Sequence, residues 1–175
     1  MIDTELGKLR RSHYSDELNS SMDGIQVTVM GWVLTVRGHG NISFATVRDK
    51  NGDLSIVAKK GDCPDEIREK ISSLKAHSSI GIIGTIKASE KAPSGFEIIP
   101  TELRVFSEVT TIPPFEPTAK TVKNIDTRLE VRPIDLRRNI LQHVFKTRSL
   151  VLKTIRDYFN DQNFVEINTP KMIAT

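Results

Sequence analysis

Residues 42–59 read ISFATVRDKNGDLSIVAK, and this stretch decides the fold. Two runs rich in β-formers, Ile42 to Asp49 and Leu54 to Lys59, flank Lys50-Asn51-Gly52-Asp53. Asn-Gly tolerates positive φ and so supplies a tight hairpin turn. The expected unit is an antiparallel hairpin. Side chains alternate across a strand, so Ala45 and Val47 share one face while Ile42, Phe44, Thr46 and Arg48 share the other. If the small apolar pair fills a core, the Phe44 ring faces out.

Upstream, Ile25 to Arg37 holds Val27, Val29, Trp32, Val33 and Val36 and reads as a strand. Gly31 interrupts it, as at a bulge or sharp bend. Trp32 is expected in the core. Gly38-His39-Gly40-Asn41 forms the turn into the hairpin. Residues 1–24 are polar and end in the turn Met22-Asp23-Gly24.

Downstream comes a short helix. Pro64 suits its first turn, Asp65 and Glu66 complement its N-terminal dipole, and Ile67, Ile71 and Leu74 share one face. Ser79 to Lys87 and Gly95 to Phe106 read as two more strands. Three strands, a helix and two strands in so short a span must hide their edges, and closure does that. The order is that of a five-stranded oligonucleotide-binding (OB) barrel. An SH3-like barrel and an open α+β sandwich share parts of the pattern.

After Ser107 the character changes. Pro113, Pro114, Pro117 and Pro133 predict an extended linker to about Arg138. Ile140, Val144, Thr147, Val151, Ile155 and Phe159 repeat at helical spacing, predicting an amphipathic helix over Asn139 to Gln162 stopped by a left-handed Asn163. Phe164 to Ile167 reads as a strand closed by Thr169-Pro170. One helix and one strand cannot enclose a core, so this end reads as the start of something larger.

The bulk properties narrow the function classes. The 175 residues are 38% hydrophobic and 27% charged, with 25 basic and 22 acidic side chains for a net charge of +3. That is ordinary for a globular protein and only mildly suited to a polyanion. No apolar run approaches the ~18–20 residues of a membrane span, and the N-terminus carries no signal-peptide core. A lone cysteine, Cys63, fits a reducing compartment. His13, His39, His77 and His143 are scattered, so no metal site is expected. No phosphate loop, nucleophile elbow or Cys-x-x-Cys pair is present, and no catalytic residue is expected.

The residues with binding chemistry lie on the strands. An outward Phe44 is a platform for an unpaired base. Arg37 suits a phosphate or a base edge, and Glu97 suits base donors. Each also has a plainer reading: Phe44 as core, Arg37 and Glu97 as solvated surface. Asp49 reads as a turn residue.

Several strings then fit one pattern together. Gly31-Trp32-Val33, Arg37, and Phe44-x-x-x-Arg48-Asp49-x-x-Gly52 resemble the anticodon-binding domain of class II aminoacyl-tRNA synthetases of the aspartyl, asparaginyl and lysyl subgroup. Ser94-Gly95-Phe96-Glu97-Ile98-Ile99-Pro100 resembles the fifth strand of the archaeal-type aspartyl branch. Asp126-Thr127-Arg128-Leu129, Arg132 and Asp135-Leu136-Arg137-Arg138 resemble the entry to the catalytic domain. Asn163 to Pro170 resembles motif 1 of the class, and Lys171-Met172-Ile173-Ala174-Thr175 favours aspartyl over asparaginyl.

The resemblance implies an OB-fold anticodon-binding domain over residues 1–106, a hinge over 107–138, and the start of an α+β catalytic domain over 139–175. It implies that Phe44 stacks on the central uridine, that Arg37 and Glu97 contact anticodon bases, and that Pro170 belongs to a dimer interface. Ser55 departs from the pattern, standing where the family usually reads the central uridine with glutamine. The full enzyme would use ATP and Mg²⁺ to charge tRNA with aspartate, as a cytoplasmic homodimer, on the aspartate tRNA and possibly the asparagine tRNA. This stretch alone, without motifs 2 and 3, is expected to be inactive. The competing readings are a stand-alone OB-fold RNA or single-strand binder and a fragment of an asparaginyl enzyme.

Overall fold

The computed structural model describes residues 9–111, 113–117 and 123–170. It forms two compact units, Met1–Ile112 and Pro113–Thr175.

The first unit is a closed barrel. Strands β1 (Gln26–His39), β2 (Ile42–Arg48), β3 (Asp53–Lys59), β4 (Ser79–Ala88) and β5 (Phe96–Ser107) are joined in the order β1-β2-β3-β5-β4, with β4 returning to β1. Helix α1 (Asp65–Ser73) lies between β3 and β4 in sequence. This is the five-stranded OB arrangement, and closure removes the exposed edges a small sheet would otherwise leave. The 14-residue β1 serves two neighbours, pairing with β4 through Gln26–Trp32 and with β2 through Trp32–His39. The seam is the narrow parallel pairing of β3 and β5 at Ile56 and Ile98.

Alternation fills the interior with branched side chains. Val27, Val29, Val33, Val47, Ile56, Ile80, Ile82 and Ile98 are buried, and α1 sends Ile67 and Ile71 to the same cluster. A hydrogen bond of 2.6 Å between the hydroxyls of Ser43 and Ser72 ties α1 to β2. Gly31 sits where β1 passes from one neighbour to the other. A Cβ there would stand 2.4 Å from the Arg48 carbonyl oxygen, so only hydrogen fits. The bulge itself comes later, where the register slips between Val33 and Thr35.

Trp32 is not in the core. Val33 takes the inward position at 0% exposure, which leaves the neighbouring indole half-buried on the outer face. The alternation set by Val27 and Val29 decides this.

The polar N-terminal stretch lies against the barrel. The Ser12 backbone N–H donates to the Thr28 carbonyl at 2.9 Å, and the Ser12 hydroxyl accepts from the Thr28 N–H at 2.8 Å. Leu9 and Leu18 are buried.

The second unit departs from the expected linker. Two short helices, α2 (Ile125–Glu130) and α3 (Arg132–Asp135), occupy the stretch read as extended. Pro133 is in the first turn of α3, where its missing N–H is harmless. The Asn124 side chain caps α2 by accepting from the Thr127 N–H at 3.0 Å. Asp135, fully buried, is the anchor: Arg128 Nε lies 3.0 Å from it, Arg132 pairs with its other oxygen, and Arg138 stands 3.8 Å away.

Helix α4 (Asn139–Asp161) runs 23 residues with no buried side chain, and Asn163 ends it at φ 63°. The strand expected at Phe164–Ile167 does not form. A strand needs another to share its hydrogen bonds, and this unit has none among the described residues. Phe164 instead stacks edge-on against Phe159, and Arg156 pairs with Glu166 at 3.0 Å. Lys171–Thr175 lie outside the described residues. Among the described residues no helix is long and apolar enough to cross a membrane.

Candidate nucleic-acid interface

The hairpin fixes the outer face of β2 and β3. Ser43 and Ala45 are 2% and 1% exposed, and the Phe44 ring between them in sequence is 40% exposed. The ring is therefore on the outside wall of the barrel. Directly opposite it on β1 is Arg37, and on β3 is Val57. The next row holds Thr35, Thr46 and Ser55, one from each strand. The Thr35 hydroxyl donates to the Thr46 hydroxyl at 3.2 Å.

The bulge makes this arrangement possible. Before it, odd-numbered residues of β1 face inward: Val27, Val29 and Val33. Leu34 is the extra residue in the slipped register, so beyond it Val36 pairs with buried Ala45 and packs on the core. Thr35 and Arg37 are thereby turned out. A regular strand would have pointed Arg37 into the barrel.

These side chains line an open groove of about 600 Å³, shared by Thr35, Arg37, His39, Phe44, Thr46 and Ser55. The structure thus gathers three of the residues singled out from the sequence: Arg37, Phe44 and Ser55. Glu97 flanks the groove without lining it. It immediately precedes Ile98, as Ser55 precedes Ile56, and those two form the seam of the barrel. Glu97 and Ser55 therefore stand at the same level on the outer face. Pro170 belongs to the second unit and is exposed. Sequence reading passed over Thr35, His39 and Thr46. Thr46 and Ser55 were findable, because the Asn-Gly turn sets their register; Thr35 depends on the bulge.

The turn beside the groove is held by Asp49. Its buried carboxylate accepts from the Ser15 N–H and Ser15 hydroxyl at 2.7 Å each, from Asn51 N–H at 2.7 Å and from Gly52 N–H at 3.1 Å, with Arg11 3.8 Å away. Burial alone would push this acid up. The donated bonds, led by the Ser15 hydroxyl, outweigh burial and hold it below the ordinary aspartate value. An acid so held is an anchor for the turn, as expected. Arg48 is engaged as well, with a two-pronged contact to Asp53 at 2.6 and 2.8 Å.

Chemistry of other kinds has little to work with. Cys63 is buried, and burial pushes its thiol up, away from reactive thiolate. Among the described residues no three His, Cys, Asp or Glu side chains gather to hold a metal ion.

Comparison with known proteins separates the same two parts. Residues 27–106 match the model of an OB-fold nucleic acid binding domain, and residues 124–175 match that of tRNA synthetases class II (D, K and N). The chain belongs to the class II aminoacyl-tRNA synthetases of the aspartyl, asparaginyl and lysyl group. Two curated relatives are each named aspartate–tRNA(Asp/Asn) ligase. One, from Methanococcus aeolicus, is 43% identical over 97% of this chain and 39% of its own length. The other, from Methanocaldococcus jannaschii, is 44% identical over 96% of this chain and 38% of its own length. The chain thus spans about two fifths of these synthetases. A solved asparaginyl-tRNA synthetase from Pyrococcus horikoshii superposes with a TM-score of 0.84 at 25% identity, over 94% of this chain and 39% of that one. In this synthetase chain the matched barrel model spans nearly all of the five strands that build the groove.

Proposed function

We propose that the barrel binds the anticodon loop of a tRNA, as the recognition part of an aspartate–tRNA ligase. The observation that carries the reading is the outward Phe44 ring with Arg37 directly across from it, in a groove on an OB barrel of the synthetase family. A base splayed from a single-stranded loop stacks on an exposed aromatic. Arg37 then meets the base edge or its phosphate, and Glu97 accepts from base donors at the rim. Ser55 offers a hydroxyl where the family's usual glutamine offers a longer amide. Residues 1–106 form the anticodon-binding domain, 107–138 the hinge and 139–175 the opening of the catalytic domain.

The relatives' names support aspartate as the amino acid, and tRNA for aspartate, with that for asparagine, as acceptors. The whole enzyme would work as a cytoplasmic homodimer, with Pro170 at its interface. ATP and Mg²⁺ would serve the class II domain by activating aspartate as the adenylate. The residues described here hold no donor set for that metal, and no chemical step is assigned to them.

The test is a titration of the 175-residue chain against labelled anticodon stem-loops. Saturable binding to the aspartate anticodon is expected, with much weaker binding when its central base is a purine. Equal affinity for an unrelated stem-loop would sink the reading. Aspartate-dependent exchange of pyrophosphate into ATP is expected to be absent for this chain alone.

A further inference from the structure

Two bulges meet at Val33. One is the slip on β1 at Leu34, after which Thr35 and Arg37 face outward. The other lies in the connection from α1 to β4. The His77 N–H donates to the Val33 carbonyl at 2.7 Å, and the Val33 N–H donates to the Ser78 carbonyl at 2.9 Å. Two residues of the connection thus face one residue of β1, immediately beyond the regular pair of Trp32 and Ser79. The first of the two, His77, is left-handed at φ 70°. This is the arrangement of a bulge whose first position is ordinarily glycine. Among the described residues the only other non-glycine at positive φ is Asn163, beyond the end of α4. Asn and His tolerate that conformation better than most side chains, and β-branched residues are outliers there.

We infer that the left-handed His77 backbone positions the groove: it holds Val33 so that the extra residue of β1 falls at Leu34 and Arg37 faces the bound RNA. The inference rests on the reading that RNA occupies this groove. Both backbone groups of Val33 are engaged by the connection, and its side chain is in the core at 0% exposure. Val33 is thereby fixed in both height and facing. Successive residues of a strand turn their backbone groups to opposite sides, so Leu34 is turned toward β2, where no residue pairs with it. The slip is confined to that point, and three residues later Arg37 stands opposite Phe44. An extended residue 77 could not make the same pair of bonds to Val33. The slip would then have no fixed place, and the side chains after it no fixed facing. Phe44 is on β2, whose register with β3 is set by the Asn-Gly turn, so its orientation does not depend on the slip. The effect falls on Arg37 and spares Phe44. His77 is buried and lines no part of the groove, so it acts through Val33 as a positioning residue.

The experiment measures Kd for the aspartate anticodon stem-loop with the 175-residue chain and its His77→Gly, His77→Asn, His77→Ala and His77→Val variants. Each is measured alone and combined with Arg37→Ala or Phe44→Ala, and a thermal melt verifies folding. In the parent, Arg37→Ala is expected to weaken binding about tenfold, the scale of one hydrogen bond to a charged group. His77→Val is expected to cost a similar factor, and adding Arg37→Ala to it should cost little more. Phe44→Ala should keep its full effect in the His77→Val chain. Loss of the Arg37 contribution alone is a result that general destabilisation would not produce. His77→Gly and His77→Asn, which accept a left-handed backbone, should bind as the parent does and keep the whole Arg37 contribution. If His77→Val does not melt cooperatively, the milder His77→Ala carries the same comparison, with a partial loss of the Arg37 contribution expected. An Arg37→Ala effect undiminished in the His77→Val or His77→Ala chain means that the connection does not place Arg37, and the inference falls alone. It falls equally if His77→Gly loses the Arg37 contribution, since backbone handedness is then not the cause. If neither Arg37→Ala nor Phe44→Ala changes the parent's affinity, RNA does not use the groove, and the functional reading falls with the inference.

Discussion

Arg37 and Phe44 stand directly opposite one another across β1 and β2, both on the outer wall of the barrel. A cation and an aromatic face at one level form a site in which a base can stack and be gripped at its edge. The outward orientation of Arg37 depends on the slipped register at Leu34, three residues before it.

Replacing the ring tests that site most directly. Phe44→Ala is expected to weaken binding to the anticodon stem-loop by ~1–3 kcal/mol through lost stacking. The ring is largely outside the core, so the melting temperature should move little. An affinity unchanged in a fluorescence titration would leave Phe44 with no role in binding.

Asp49 predicts a stability effect with a pH signature. Asp49→Ala removes the acceptor for four donated bonds and is expected to cost about 2–4 kcal/mol in urea unfolding. The folded-state value is depressed below the ordinary 3.8, so the carboxylate's stabilisation is full well above that value. It begins to fade as the pH falls to 3.8 and is lost below the depressed value. Asp49→Asn should flatten the acid limb of the stability curve. A parent and variant with parallel acid limbs would contradict this assignment.

Gly31 predicts a steric limit. The Cβ of Gly31→Ala would meet the Arg48 carbonyl oxygen at 2.4 Å, and that oxygen belongs to the paired backbone of β2. The expected cost is about 1–3 kcal/mol, read as a drop in the urea midpoint. A midpoint equal to the parent's would mean the strands can part there freely.

Helix α4 predicts association. Val144, Val151, Ile155 and Phe159 form an apolar stripe, each about half exposed, and Val165 beyond the helix is 83% exposed. Sedimentation should show mass rising with concentration, and Ile155→Asp should reduce it. Amides of Phe164–Ile167 should exchange quickly in the monomer. A monomer at all concentrations, with slow exchange there, would contradict both expectations.

The barrel was legible because its signals are local. Alternation in β2, the Asn-Gly turn and the Pro64-Asp65-Glu66 helix start each depend on a few neighbouring residues. The second unit was less legible. The prolines of 113–133 read as breakers, yet Pro133 opens α3, and what holds that turn is a buried aspartate meeting arginines three to seven residues away. A run of β-formers at Phe164–Ile167 has the composition of a strand but, among the described residues, no neighbouring strand to bond with.

Sequence alone determined which residues alternate, where the hairpin turns, and so which side chains of β2 and β3 share a face. The tertiary structure decided which face looks outward, that Trp32 sits outside, and that Arg37 joins Phe44 in the groove. Alternation has a period of two and leaves the two faces equivalent until a closed core chooses between them. A bulge then inverts the choice for every residue after it, and its position is set by pairing across the sheet rather than by the strand's own residues.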